Sequence, residues 1–367
     1  MKIIFIIISL SIISFNCKKE LPTEESIDDS NGENNLFIDT IYAGGSFLLI
    51  ENLTANNIAM WDGKNWHPLD KGIIGKNADV ECMAFYKEDL YVGGFIDSAG
   101  EVAANHIAKW NGKEWSSVGS GIDGRVTSLV EYKGDLYAGG WFFTAGGINA
   151  GNIAKWNGSE WSSVGEGLSD EVYTLCVYND ELYAGGWFTK NYQGYFNANN
   201  IARWNGSEWD TVESGVNSGS WIMTLTVFNN ELLATGNFSK CGNIEVSNIA
   251  KWNNNIWQSV NNITLSNRTY SSAIYKNEFH IAGESDSNES DSHSYYAIWN
   301  GIAWSFNNFL FDGLPGCLYS SDNYLYVGGK FNIVNGKEAK GIFKWDGNSI
   351  QNLGSGVQGY ISSILSK

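Results

Sequence analysis

The amino-acid sequence predicts an all-β chain, a seven-bladed β-propeller of four-stranded antiparallel blades. Three observations predict it. A tryptophan pair recurs at a fixed five-residue spacing, a Gly-Gly step or its counterpart precedes each pair, and an Asn-Gly or Asp-Gly dipeptide sits inside nearly every pair. The second glycine of the step falls at Gly45, Gly94, Gly140, Gly186, Gly236, Gly283 and Gly329, a period of 46 to 50 residues. The first tryptophan is Trp61, Trp110, Trp156, Trp204, Trp252, Trp299 and Trp345. The second is Trp66, Trp115, Trp161, Trp209, Trp257 and Trp304, with Ile350 in the last copy. Two repeat positions thus absorb all but three of the 16 tryptophans, which sets the number of units at seven.

Taken in chain order, residues 1–16 read as an export signal. Met1-Lys2 precedes an apolar run from Ile3 to Ile13, too short to span a bilayer. Cys17 at its end resembles the acylated cysteine of bacterial lipoproteins, although Asn16 departs from the small residue that pattern prefers. Lys18-Lys19-Glu20 resembles a surface-export tag of Gram-negative outer-membrane lipoproteins. Residues 17–35 are polar and acidic, as expected of a flexible tether, and residues 36–367 carry the propeller.

Within the propeller, one cycle supplies four strands. Val126–Tyr132 alternates, Leu136–Phe142 carries the glycines, Asn152–Trp156 is apolar, and Trp161–Val164 closes the unit. Asp62-Gly63, Asn111-Gly112, Asn157-Gly158, Asn205-Gly206, Asn300-Gly301 and Asp346-Gly347 give the positive φ angles that tight hairpins need; Asn253-Asn254 replaces them in the fifth copy. The chain opens on a second-type strand, Thr40–Phe47, and ends on a first-type strand, Tyr360–Leu365, without a partner of its own. The C-terminal strand is therefore expected to complete the blade begun by residues 40–72 and to remove an open edge.

Repeats of the form YAGGxFxxAGGxxAxNIAxWNGxxW, as in residues 137–161, resemble those of kelch-like, galactose-oxidase-type propellers. They resemble more closely those of secreted bacterial and fungal cell-surface proteins. The resemblance covers about residues 36–367 and implies the fold; it implies little about activity, because propellers host many unrelated chemistries.

Composition excludes some functions. A net charge of −17 and a pI near 4.6 repel phosphate backbones, so nucleic acid is not an expected partner. Four histidines (His67, His106, His280, His293) fall in different copies without metal-ligand spacing, and no phosphate-cradling loop or nucleophile elbow is present. No cofactor or metal is called for. Asp286-Ser287-Asn288-Glu289-Ser290-Asp291 lacks the glycine of an EF-hand loop and reads as a solvated acidic loop. Cys82, Cys176 and Cys317 fall on equivalent strands, two at one repeat position and the third one residue further on. They are expected to be buried thiols too far apart to bridge, and Cys241 lies in a loop.

Where the repeat stops repeating, function is expected. The residues opening each first strand are Asp79, Arg125, Glu171, Trp221, Arg268, Leu314 and Tyr360, a chemically mixed ring at the channel mouth. The three tryptophans outside the pairs, Trp141, Trp187 and Trp221, fall in adjacent copies, and the fourth copy adds Tyr192, Tyr195 and Phe196. All are expected on one face as a ligand-binding arc for a protein or a glycan, on a monomer that meets the membrane only through its lipid. The alternatives are a glycan hydrolase or lyase using Asp79 and Glu171, or a structural subunit of an outer-membrane assembly.

Overall fold

The computed structural model describes residues 39–194, 197–260, 268–285, 293–306 and 308–367. Ile38–Lys367 forms one compact unit. Every regular element among the described residues is a β-strand. The third sheet shows the plan: inner strand Arg125–Tyr132, then Asp135–Trp141, Ile153–Trp156 and outer strand Trp161–Ser163, hydrogen-bonded in that order. Five further sheets repeat this four-stranded order. In the first sheet Ile41–Ile50 pairs on one side with Ile58–Trp61 and on the other with the C-terminal strand Val357–Ser366, Ala43 opposite Ile364 and Gly45 opposite Ile361.

The Gly-Gly step has a steric cause at both positions. A Cβ on the first glycine would strike a branched side chain of the following sheet: Gly44 meets Val80, Gly139 meets Val172 and Gly185 meets Ile222, all within 2.7 Å. A Cβ on the second would strike the sheet's own inner strand, at 2.0 Å from the Arg125 carbonyl for Gly140. A bulge explains the second contact. Each inner strand of the second to seventh sheets carries one extra residue just past its start, as at Thr127 between the pairs Val126–Gly140 and Ser128–Gly139. The bulge presses the backbone toward the neighbouring strand, and only glycine accommodates that approach.

The tryptophan pairs face each other across the outer hairpin, Trp156 opposite Trp161 with ring centroids 5.4 Å apart. Their second member also links sheets. The indole N–H of Trp66, Trp115, Trp161, Trp209 and Trp257 donates to the carbonyl of Leu353, Leu69, Val118, Val164 and Val212 respectively, each at the end of the preceding sheet's outer strand. A second link lies at the opposite end. Tyr86, Tyr132, Tyr178 and Tyr275 donate their hydroxyls to carbonyls of the next sheet's first hairpin, at Gly134, Asp180, Asn230 and Asn323.

The seam between the fifth and sixth sheets lacks both links. Phe228 stands where the tyrosines stand, and the buried Trp304 Nε1 finds no acceptor among the described residues. Asn229 stands where Lys87 and Lys276 cap the following sheet's outer turn, at the carbonyls of Asn157 and Asp346. A cleft of about 100 Å³ lined by Phe228, Asn229, Val260 and Trp299 marks the place. A hydroxyl ladder of Thr235, Thr224, Ser272 and Thr226 joins the two sheets instead. Phe228→Tyr restores the hydroxyl, and the Asn277 carbonyl is the counterpart of the Gly134 acceptor. The substitution is expected to stabilise the fold by about 0.5–1.5 kcal/mol. Urea unfolding should show a higher midpoint at unchanged slope; an unchanged or lower midpoint would refute the missing-link account.

Cys82, Cys241 and Cys317 are free thiols. All three are buried, and burial raises the pKa of each. Cys82 and Cys317 hold one register position, opposite Gly93 and Gly328, whereas Cys176 lies opposite Tyr183 and is only half-buried. The one-residue offset expected from the sequence is thus corrected to two. The first strand position past the bulge points its side chain into the neighbouring sheet, as Cys82 Sγ shows by donating to the Val126 carbonyl.

Candidate functional site

One end of the sheets gathers two kinds of loop. The connection entering five of the sheets pairs with the hairpin between that sheet's second and third strands, at Ile73–Ala99, Ile122–Ala145, Leu168–Asn191, Val216–Cys241 and Phe311–Val334. Asparagine fixes this junction. Asn57, Asn152 and Asn200 adopt left-handed backbone angles near φ +70° and donate to the carbonyls of Ile73, Leu168 and Ser220 on the next connection. The inner strands begin at this end, so their first residues line its mouth.

The mouth is a double row. Asp79 lies opposite Phe95, Arg125 opposite Trp141, Trp221 opposite Asn237, Arg268 opposite Glu284, Leu314 opposite Lys330 and Tyr360 opposite Ser46. Trp187 donates its N–H to the Glu171 carbonyl at 2.9 Å, which sets that pair. Aromatic residues therefore occupy the second row in the second to fourth sheets, and polar ones fill it in the others.

Charge concentrates on the aromatic side. Arg125 Nε donates to both carboxylate oxygens of Glu81, at 2.7 and 2.8 Å, and Nη1 donates to Glu171 at 2.8 Å. The same guanidinium lies over the Phe95 ring, 5.6 Å from its centre. The Tyr173 phenol beside Glu171 draws its carboxyl pKa down against the effect of burial. Asp79 takes no bond from Arg125; it accepts from the Ser362 hydroxyl at 3.0 Å. Burial raises the carboxyl pKa values of Asp79, Glu81 and Glu171, and the guanidinium draws each only partly back. Of the two carboxylates that the enzyme alternative names, Glu171 accepts from Arg125, and Asp79 makes a separate contact with the C-terminal strand.

The structure brings two of the three unpaired tryptophans together. Trp187 and Trp221 stack across the fourth and fifth sheets, centroids 5.0 Å apart and planes within 15°. Trp141 is 54% exposed and Trp187 43%. Tyr192 packs its ring against Gly151 at the junction of the third and fourth sheets. Tyr360 is half-buried and crowds Gly316, and burial raises its phenol pKa. Arg268 begins the sixth inner strand. Tyr195, Phe196, Cys17 and the Asp286–Asp291 segment lie outside the described residues. Among the described residues no group of three His, Cys, Asp or Glu side chains is arranged to hold a metal ion.

Sequence reasoning missed Glu81, Tyr173 and Phe95. Glu81 and Tyr173 are the extra residues of two bulges, in a row that reads Glu81, Thr127, Tyr173, Met223, Tyr270, Gly316 and Ser362. That variability, one residue after a position that is Val or Ile in five of the seven copies, was the available signal. Phe95 occupies the position of Trp141 and Trp187 but was not a tryptophan.

No protein-family model matches the chain, and no curated protein matches it in sequence. Among solved structures it is similar to a computationally designed protein, Ika8, at 14% identity over 75% of this chain and 85% of that one, with a TM-score of 0.46. A candidate 6-phosphogluconolactonase from Bacteroides fragilis is 8% identical over 91% of this chain and 99% of its own, with a TM-score of 0.44. An α-L-arabinofuranosidase from Clostridium thermocellum is 13% identical over 61% of this chain and 91% of its own, with a TM-score of 0.31.

Proposed function

We propose that this chain is a lipid-anchored surface module whose seven blades form one closed ring, and that its double-row mouth recognises a protein or glycan. The ring reading draws on the inner strands, which pack in succession from Asp79–Tyr86 to Leu314–Ser320 and on to Val357–Ser366, itself packed against Asp79–Tyr86. It draws also on the bond from Trp66 to Leu353 between the first and seventh sheets. The anchor reading draws on Met1–Cys17 and the polar segment that follows.

The observation that carries the recognition reading is the Trp187–Trp221 stack beside the exposed Trp141. Wide rings held rigid by the fold lose little entropy on binding, and leaving them in water forgoes apolar burial that a ligand would recover. A structural role alone gives no reason to expose Trp141 and Trp187 on one arc.

The test uses cells displaying the full chain, probed with glycan and protein libraries. Binding is expected to fall at least about tenfold in Trp187→Ala and Trp221→Ala variants of unchanged melting temperature. Cys17→Ser is expected to move the chain out of the membrane fraction. Folded variants that bind as the parent does would overturn the recognition reading, and a membrane-retained Cys17→Ser chain would overturn the anchor.

A further inference from the structure

The two ring contacts of the mouth obey one rule. Phe95, on the second strand of the second sheet, meets Arg125, the first inner residue of the third. Trp187, on the same position of the fourth sheet, meets Trp221, the first inner residue of the fifth. The position pair between them is Trp141 and Glu171. Its ring is exposed, its partner is a carboxylate, and no described lysine or arginine lies over it.

One sheet back, the protein has already satisfied such a site from its own chain. The Arg125 guanidinium covers an aromatic face and is held edgewise by two carboxylates, Glu81 and Glu171. Trp141 offers the better aromatic face for a cation, with Glu171 at the neighbouring register position and Asp170 beside it. Around Arg125 stand three carboxylates, Asp79, Glu81 and Glu171, so this arc of the mouth carries more carboxylates than the one guanidinium they surround can balance. Steering on a chain of net charge −17 works the same way.

We infer that Trp141 and Glu171 form a subsite for an arginine side chain of a protein partner, the partner's guanidinium lying on the Trp141 ring as Arg125 lies on Phe95. This rests on the reading of the mouth as a recognition face and names the chemistry it selects. A guanidinium fits better than an ammonium because its plane stacks on the ring while its edge donates to a carboxylate.

The test titrates the full chain with Gly/Ser-framed peptides carrying two arginines, and with the same peptides carrying citrulline, lysine or alanine instead. Citrulline keeps the shape and removes the charge. Arginine peptides are expected to bind at least about tenfold more tightly than citrulline peptides, and to lose that advantage in Trp141→Ala. Glu171→Gln should reduce the preference, and its melting temperature reports any loss of the Arg125 contact separately. Equal binding of arginine and citrulline peptides, or an unchanged preference in folded Trp141→Ala, would overturn the subsite. Capture of a glycan that depends on Trp187 and Trp221 but ignores Trp141 would overturn it while leaving the recognition face standing. Loss of neither ligand in any of these variants would remove both.

Discussion

A chain that stops at Gly356 is expected to lose cooperative folding. The missing Val357–Lys367 segment contains the strand that pairs with Ile41–Ile50 over almost its whole length. Val357, Ile361 and Ile364 are buried, and each such side chain contributes about 1.5–3 kcal/mol. Together they account for about 5–9 kcal/mol, comparable with the whole stability of an ordinary domain, about 5–15 kcal/mol. Deletion also opens the Ile41–Ile50 edge, which offers unpaired backbone groups to other chains. Two further contacts go with it, Ser362 to Asp79 and the Ile361 side chain against Gly328. The expected result is an aggregating product without a sharp thermal transition, partly rescued by the Val357–Lys367 peptide added in trans. A truncated chain melting within a few degrees of the parent would show that this strand is not part of the stabilising frame.

That strand was legible because the repeat left it without a partner, although the pairing runs Val357–Ser366 against an expected Tyr360–Leu365. Hairpin dipeptides were legible as well, since the tight turn needs a residue that accepts a positive φ: Gly63, Gly112, Gly158, Gly206, Gly301 and Gly347 all hold φ angles near 100°. Contacts between sheets were not. Nothing near Trp161 in the chain announces that its N–H will reach the Val118 carbonyl, because acceptor and donor meet only after neighbouring units pack. The candidate site divides along the same line. First inner residues such as Asp79, Arg125 and Glu171 follow from register, and register is periodic. Glu81 escaped because a bulge shifts the period just where the mouth begins, and the missed residue is the one that grips Arg125.

That grip gives the largest single-residue effect. Glu81 and Glu171 keep only 12% and 17% of their side-chain surface in water, and Arg125 supplies three charged hydrogen bonds between them. Arg125→Met keeps an unbranched apolar stem and removes the guanidinium with its donors, leaving two carboxylates of like charge together with no counter-charge. The expected loss is about 2–4 kcal/mol at pH 7, below the full figure for a wholly buried pair because Arg125 is about one-third exposed. The pH dependence identifies the cause. Both carboxyls already have raised pKa values in the native state, so their contribution to stability is fullest below the ordinary carboxylate range and declines as pH rises through it. Without Arg125 both rise further, which extends that decline to higher pH. The penalty of Arg125→Met, measured by urea unfolding, should therefore be greatest near neutral pH and shrink toward pH 4. Adding Glu81→Gln and Glu171→Gln should recover most of the loss at pH 7, because neutral amides require no counter-charge. A penalty that stays constant from pH 7 to pH 4, and that the two glutamines leave in place, would mean that Arg125 stabilises the mouth by packing on Phe95 rather than by holding its carboxylates together.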